Sequence, residues 1–463
     1  MIGIQIGAVS FVDEGTEQVL DILQQRAHVN TLFLAVFTYG RGIAGRQVPG
    51  QPLPDHGAQV YDTEFHGGNY ATVHPQFYRD TGIAPLDTRA PDQGTLDIVA
   101  EVLPKARRRG MQVILWLEDV WRRDIPGIER LQETDLHGHK AGTLCFNNPH
   151  HRNFLLGLVE DYARSYEVDG LMWGCERQGA FGNALGARHG GRSDPSRVTC
   201  FCEFCERKAR SQGRLSFERV RQGYLALQGF IEETRAGNRP VDGYYVTFLR
   251  LLFRYPEILA WEQFWHDSLR ETYEAIYQKV KSVRSDLQVG WHIWHNNSFS
   301  PYYRAQQDLR VLSPYSDFLK MVMYHNCGGE RMAAYITSVR SAHLADFDSQ
   351  SLLEAEYTVM NFRERAFTQI PFTGLSADYV AREAKRALDG VAGTRTQIWP
   401  GIDIDIPTAP NHSKSTPQGT KEAVLAAFRA GVPGVILSRK YSEMRLANLS
   451  GAGEAIRELG LAV

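Results

Sequence analysis

Val168-Asp169-Gly170-Leu171-Met172-Trp173-Gly174-Cys175-Glu176 is an apolar run that ends in a carboxylate. It predicts a buried strand that delivers Glu176 to its C-terminal end. A loop rich in Gly, Arg and Ser follows, and then Cys200-Phe201-Cys202-Glu203-Phe204-Cys205 leads into Glu206-Arg207-Lys208-Ala209-Arg210. That second segment predicts a metal knuckle running into a helix. Together they describe a loop pinned beside an acid.

Working outward, further apolar runs of the same kind lie at 2–9, 31–38, 112–117, 288–294, 318–324, 396–404 and 434–438. With 170–174 they make eight. They are short and rich in β-branched and aromatic residues, as strands covered on both faces are. Helical patterns separate them at 17–27, 95–108, 151–166, 261–283, 377–388 and 420–430. Cap signals agree: Ser376 or Asp378 precedes one helix, and Gly431 follows another. Eight strand–helix units predict an α/β fold, a (β/α)8 TIM barrel. A doubly wound sheet is the alternative. The barrel is expected to span 1–463 as one domain. Insertions are expected at about 40–93, after the second strand, and at about 177–257, after the fourth. Long loops at that end predict a lidded cleft for an extended ligand.

The chain has 463 residues, 43% of them hydrophobic, which is ample for a large core. Its 51 basic and 53 acidic side chains are interspersed and leave a formal charge of −2, so nothing calls for nucleic acid or an anionic membrane as partner. No apolar run approaches the roughly 18 residues of a membrane span. Met1 leads directly into the first strand, so a cytoplasmic protein is expected. A homo-oligomer is left open. Cys145, Cys175, Cys200, Cys202, Cys205 and Cys327 show no secreted disulfide spacing, and three fall within six residues, which points to metal.

Chemistry in such a barrel sits where strands end. The third strand ends Trp116-Leu117-Glu118-Asp119, and the fourth ends Glu176-Arg177. The fifth ends His292-Ile293-Trp294-His295-Asn296, and the sixth runs Lys320-Met321-Val322-Met323-Tyr324-His325-Asn326. The seventh runs from Gln397 and Trp399 to Asp403 and Asp405, and the eighth ends Ser438-Arg439-Lys440-Tyr441. Alternation places Trp399, Asp403 and Asp405 on one face of the seventh strand. It does the same for Lys320, Tyr324 and Asn326 on the sixth, and for His292 and Trp294 on the fifth. Glu176 faces Asp403 or Asp405 across the eight-strand ring. Two such carboxylates are what glycosidic cleavage needs: one donates a proton to the leaving oxygen, and the other attacks the anomeric carbon or activates water. Glu118, Asp119, Arg177, His292, Lys320, Tyr324, Asn326 and Arg439 are candidates to bind substrate or tune the acids. Trp116, Trp173, Trp294 and Trp399 are sugar platforms or core.

Cys-x-Cys-x2-Cys brings three thiolates into one turn, as a tetrahedral zinc site requires. The fourth ligand is Cys145 by first choice, with Cys175 or His189 as substitutes. Four protein ligands leave no open position, so such a zinc is structural. No organic cofactor is expected. A rival reading joins His292, His295 and His325 with Asp119 or Asp405 in the catalytic metal site of an isomerase or lyase. A third is a non-catalytic carbohydrate-binding barrel.

A barrel with a Glu after the fourth strand and then Cys200, Cys202 and Cys205 resembles the family 42 β-galactosidases of glycoside hydrolase clan A. The resemblance implies a zinc-binding cluster whose fourth cysteine lies upstream of the Glu, as Cys145 does, and it implies that Glu176 is the proton donor. Asn147-Asn148-Pro149, the helix after it and the Val168–Trp173 run are similar to bacterial glycoside hydrolases of undefined substrate. These likenesses cover residues 145–210. Two departures matter. Clan A enzymes place Asn before the acid, where this chain has Cys175. Their nucleophile is a Glu after the seventh strand, where this chain has Asp403 and Asp405; Glu354 and Glu356 are held in reserve. The expectation is a glycoside hydrolase of unspecified sugar, with Glu176 as general acid/base and Asp403 or Asp405 as its partner.

Overall fold

The computed structural model describes residues 1–39, 53–61, 66–190, 193–213, 215–406 and 415–462. Eight parallel strands form its centre: β1 (Ile2–Gly7), β2 (Thr31–Tyr39), β3 (Gln112–Glu118), β4 (Gly170–Gly174), β5 (Gln288–Ile293), β6 (Phe318–Val322), β7 (Gln397–Asp403) and β8 (Val435–Ser438). Each pairs in parallel with the next, and β1 pairs with both β2 and β8, so the sheet closes. That closure excludes a doubly wound sheet and establishes the (β/α)8 barrel. The first strand is shorter than expected. It stops at Gly7, and Ala8–Glu14 is a helix rather than a continuation of the strand.

Two layers of core follow from the period-2 alternation of the strands. Inside the barrel, Phe33, Ala35, Ile114, Trp116, Met172, Phe318, Trp399 and Ile436 pack together. Phe318 and Trp399 stack with ring centroids 4.1 Å apart. Small residues make room for them: a Cβ on Gly290 would meet the Phe318 ring at 2.3 Å. The opposite strand faces join the larger core under the helices. Local chemistry sets the helix limits. Asp97 caps Ile98–Arg108 by accepting from the amides of Val99 and Ala100. Asn148 caps Pro149–Ser165, with proline at the first turn where no amide is needed.

Three long excursions leave the C-terminal ends of β2, β3 and β4. Of the one expected over 40–93, residues 40–52 and 62–65 lie outside the described residues. Of that over 177–257, residues 191, 192 and 214 do. The excursion after β3 carries an antiparallel hairpin, Gln132–Thr134 with Lys140–Leu144. A long helix, Glu257–Val283, brings the chain back to β5. Among the described residues, no helix is long and apolar enough to cross a membrane.

Candidate active site

A cavity of about 470 Å³ opens at the C-terminal end of the barrel. Glu118 from β3, Glu176 just past β4, His292 from β5 and Tyr324 just past β6 all line it. Trp116, Trp294, Asp119, Arg177 and Arg439 complete the residues expected there from the sequence. A second space of about 590 Å³ adjoins it and shares Tyr39, Asp119, Thr143, Glu176, Arg177, Arg188, Arg197 and Trp294. Glu176 therefore stands where two lobes of one cleft meet.

Glu176 is 39% exposed, toward the cleft that it lines. His292 Nε2 donates to its Oε1 over 2.8 Å. Beneath, Lys320 Nζ donates to His292 Nδ1 over 3.2 Å, to Gln5 Oε1 over 2.6 Å and to the Tyr324 hydroxyl over 2.9 Å. An ionised Glu176 can only accept, so His292 Nε2 carries the proton and Nδ1 is the acceptor toward Lys320. Burial and the Lys320 ammonium push His292 down to about 4, which keeps the imidazole neutral near pH 7. Burial alone would raise Glu176. The hydrogen bond from His292 overrides it, helped by the positive charge of Arg331, and holds the carboxyl at about 2. Glu176 is ionised in the free protein.

Glu118 has the opposite environment. Burial raises its carboxyl above the ordinary value, and the Glu176 charge adds to that. Lys440, 3.5 Å away, and a hydrogen bond from the Thr38 hydroxyl oppose the rise without cancelling it. The two acids come from adjacent strands, with Glu118 level with Gly174, two residues before Glu176.

Lys320 is fully buried on β6, under the cavity floor. Burial pushes it down to about 7, against the pull of Glu176 and Glu118. Gly401 provides its space: a Cβ there would meet Lys320 Cε at 2.6 Å.

Several expected residues are elsewhere. The side chain of Asp403 leaves the expected face of β7, but its carboxylate accepts from the amides of Asn326 (3.1 Å) and Cys327 (3.0 Å) and pairs with His325 (2.9 Å). Asp405 lies past the strand end and is captured by Arg445 (3.0 Å) and Asn448 (2.9 Å). Neither aspartate lines the cleft. Asn326 is occupied with the Asp403 carbonyl. Trp399 is inside the barrel, and Trp173 packs outside it against Phe146, Tyr273 and Trp291. Glu354 and Glu356 lie on the helix Ser349–Met360, away from the cleft. The histidines do not converge: His295 bonds Tyr379 and accepts from Arg331, and His325 stays with Asp403.

The sequence reading missed Gln5, Thr38, Tyr39, Thr143, Arg188, Arg331 and Lys440. Gln5 had a signal, as the lone polar residue of an otherwise apolar strand. Arg331 had none, because it comes from the first turn of a helix rather than from a strand end.

Arg177 turns away from Glu176. It pairs with Asp119 (2.8 Å) and Glu133 (3.0 Å), donates to the Leu144 carbonyl (3.0 Å) and lies over the Phe146 ring. Glu133 also accepts from the hydroxyls of Thr143 (2.6 Å) and Thr199 (2.7 Å). Thr199 leads directly into the cysteine knuckle. Cys145, Cys200, Cys202 and Cys205 are all buried, with their sulfurs within 4.8 Å of one another. Asn147 donates from its amide to Cys145 Sγ (3.4 Å) and from its side chain to Cys205 Sγ (3.3 Å), which suits thiolate sulfurs. Four such thiols can bind a metal. Cys175 and His189 are not in this group.

No family model matches the sequence, and no curated protein matches it. Solved structures share the fold. The β-galactosidase of the Antarctic haloarchaeon Halorubrum lacusprofundi is 14% identical with a TM-score of 0.53, covering 99% of this chain and 58% of that one. The β-galactosidase of Marinomonas ef1 is 10% identical with a TM-score of 0.50, covering 99% and 59%. That of Rahnella sp. R3 is 12% identical with a TM-score of 0.50, covering 100% and 56%. The chain thus spans about three fifths of the length of these proteins, and the similarity is one of fold.

Proposed function

We propose that this barrel is a glycoside hydrolase whose two working carboxylates are Glu118 and Glu176. One observation carries the reading: adjacent strand ends bring two acids to one cleft, in environments that push their proton affinities in opposite directions. Such a divergence is how one site holds an acid and a base together. The β-galactosidase-like fold is compatible with this but does not by itself argue for it.

Glu118, raised by burial, is the proton donor to the leaving glycosidic oxygen. Glu176, ionised, attacks the anomeric carbon or activates water against it. The roles are thus reversed from the sequence expectation, which had Glu176 as the proton donor. His292 holds the Glu176 carboxylate through Nε2–H, and Lys320 fixes that tautomer from below. The indoles of Trp116 and Trp294 are apolar walls with a polar edge, suited to a sugar ring. The ion pairs of Arg177 hold the loop behind Glu176 in place.

The four cysteines are read as holding zinc. The ion would tie the β3 hairpin, through Cys145, to the helix Glu203–Gln212, through Cys200, Cys202 and Cys205. A zinc with four protein thiolates supplies structure rather than a catalytic position.

Leaving-group dependence tests the assignment. Glu118→Gln is expected to retain activity toward aryl glycosides with acidic phenols and to lose it toward oligosaccharides, which need the proton. Equal loss on both would remove Glu118 from the donor role.

A further inference from the structure

Most charges along the two lobes are matched. Lys440 pairs with Glu118, Arg177 with Asp119 and Glu133, Arg439 with Glu443 (3.3 Å), and Arg197 with Asp194 (3.5 Å). Three lining arginines have no acid partner among the described residues. Arg331 faces the inner lobe, Arg188 stands at the junction, and Arg123 is in the outer lobe. Among the described residues, the one hydrogen bond from the Arg331 side chain goes to His295 Nδ1 (3.0 Å), and its guanidinium lies over Tyr324. Arg188 is half-buried, and among the described residues its side chain makes neither a hydrogen bond nor an ion pair. Arg331 is half-buried too, and a guanidinium withdrawn from water with no acceptor is unfavourable; Arg123 is exposed at the rim of the outer lobe. Among the described lining residues, one unmatched carboxylate, Glu176, stands against these cations, and its donor is a neutral imidazole.

Guanidinium groups can only donate. The cleft therefore offers donors in both lobes and calls for a ligand rich in acceptors. Arginine in particular matches the planar geometry of carboxylate and sulfate oxygens.

We propose that the cleft takes an acidic saccharide, one whose sugar units carry carboxylate or sulfate groups engaged by Arg331, Arg188 and Arg123. This rests on the glycosidase reading and names the substrate class of the same site. Neutral sugars would leave the two half-buried guanidinium groups, Arg331 and Arg188, without an acid partner. A chain with acid groups on successive units would meet them on both sides of Glu176.

The test is calorimetric binding to the intact protein, at low and high salt. The probes are oligogalacturonides and oligoglucuronides, sulfated galacto-oligosaccharides, and neutral galactose and glucose oligomers of matched length. At least one acidic set is expected to bind about tenfold or more tighter than its neutral counterpart, with the gap narrowing at high salt. Arg188→Ala breaks no hydrogen bond or ion pair among the described residues and should fold normally; with Arg331→Lys and Arg331→Met, it should shrink the preference severalfold. The carboxylated and sulfated arms show which acid group is read. Neutral oligomers binding as tightly, or a preference unchanged in every variant, would overturn the proposal. Arginine-dependent binding of an acidic oligomer without cleavage would keep this proposal and remove the hydrolase. Cleavage of neutral glycosides with no acidic preference would do the reverse.

Discussion

The imidazole of His292 donates Nε2–H to the Glu176 carboxylate over 2.8 Å, while Lys320 holds its other nitrogen. This pair decides which acid in the cleft is ionised. Removing the donor should raise Glu176 toward the ordinary carboxylate value, because the hydrogen bond favours the charged form. In His292→Phe, the acid limb of the kcat/KM profile should move to higher pH, and kcat should fall by roughly 10- to 100-fold. An unmoved acid limb would show that His292 does not set the Glu176 proton.

Glu118 governs the other limb. Activity should fall as pH rises through its elevated carboxyl value, since the donor is then lost. The profile should lean toward acid pH, and its alkaline limb should disappear in Glu118→Gln. A wild-type profile that stays flat into the alkaline range would contradict the donor assignment.

Lys320 makes a stability prediction with a definite sign. Folding lowers its pKa to about 7. Between there and the ordinary lysine value, roughly 10.4, the unfolded chain holds a proton that the folded protein lacks. Stability therefore rises with pH across that window. Urea unfolding at about pH 7 and about pH 10 should show this rise in the wild type and a flatter response in Lys320→Met.

The cysteine cluster should bind one zinc per chain, measurable by elemental analysis and abolished in Cys202→Ser. The variant should unfold at lower temperature and be cleaved more readily by protease in the β3 hairpin. Full metal content in the variant would place the metal elsewhere.

The barrel was legible because parallel strands covered on both faces read as plain apolar runs. All eight fall within a few residues of their expected limits. The arrival of Glu118, Glu176 and His292 at the cleft was legible for a related reason, since each ends a strand on a face set by alternation. Asp403 shows where that logic stops. Alternation fixes the face from which a side chain leaves, not what waits beyond the strand end. Two backbone amides and His325 take its carboxylate before it can reach the cleft. Asp405 goes to Arg445, some forty residues later in the chain. The cations Arg188 and Arg331 sit on a loop and a helix, where no period marks a cavity-facing residue. The proposed reversal of acid and base was equally hidden, because it rests on His292 and Lys320 lying beneath Glu176.

The most direct test is hydrolysis of a panel of aryl glycosides and neutral and acidic oligosaccharides by purified wild type, with Glu176→Gln beside it. A two-carboxylate hydrolase cleaves at least one member, and the variant loses roughly a thousandfold or more in kcat while still binding it. Cleavage that persists unchanged in Glu176→Gln, or saturable sugar binding by both proteins with no cleavage of any member, would contradict it.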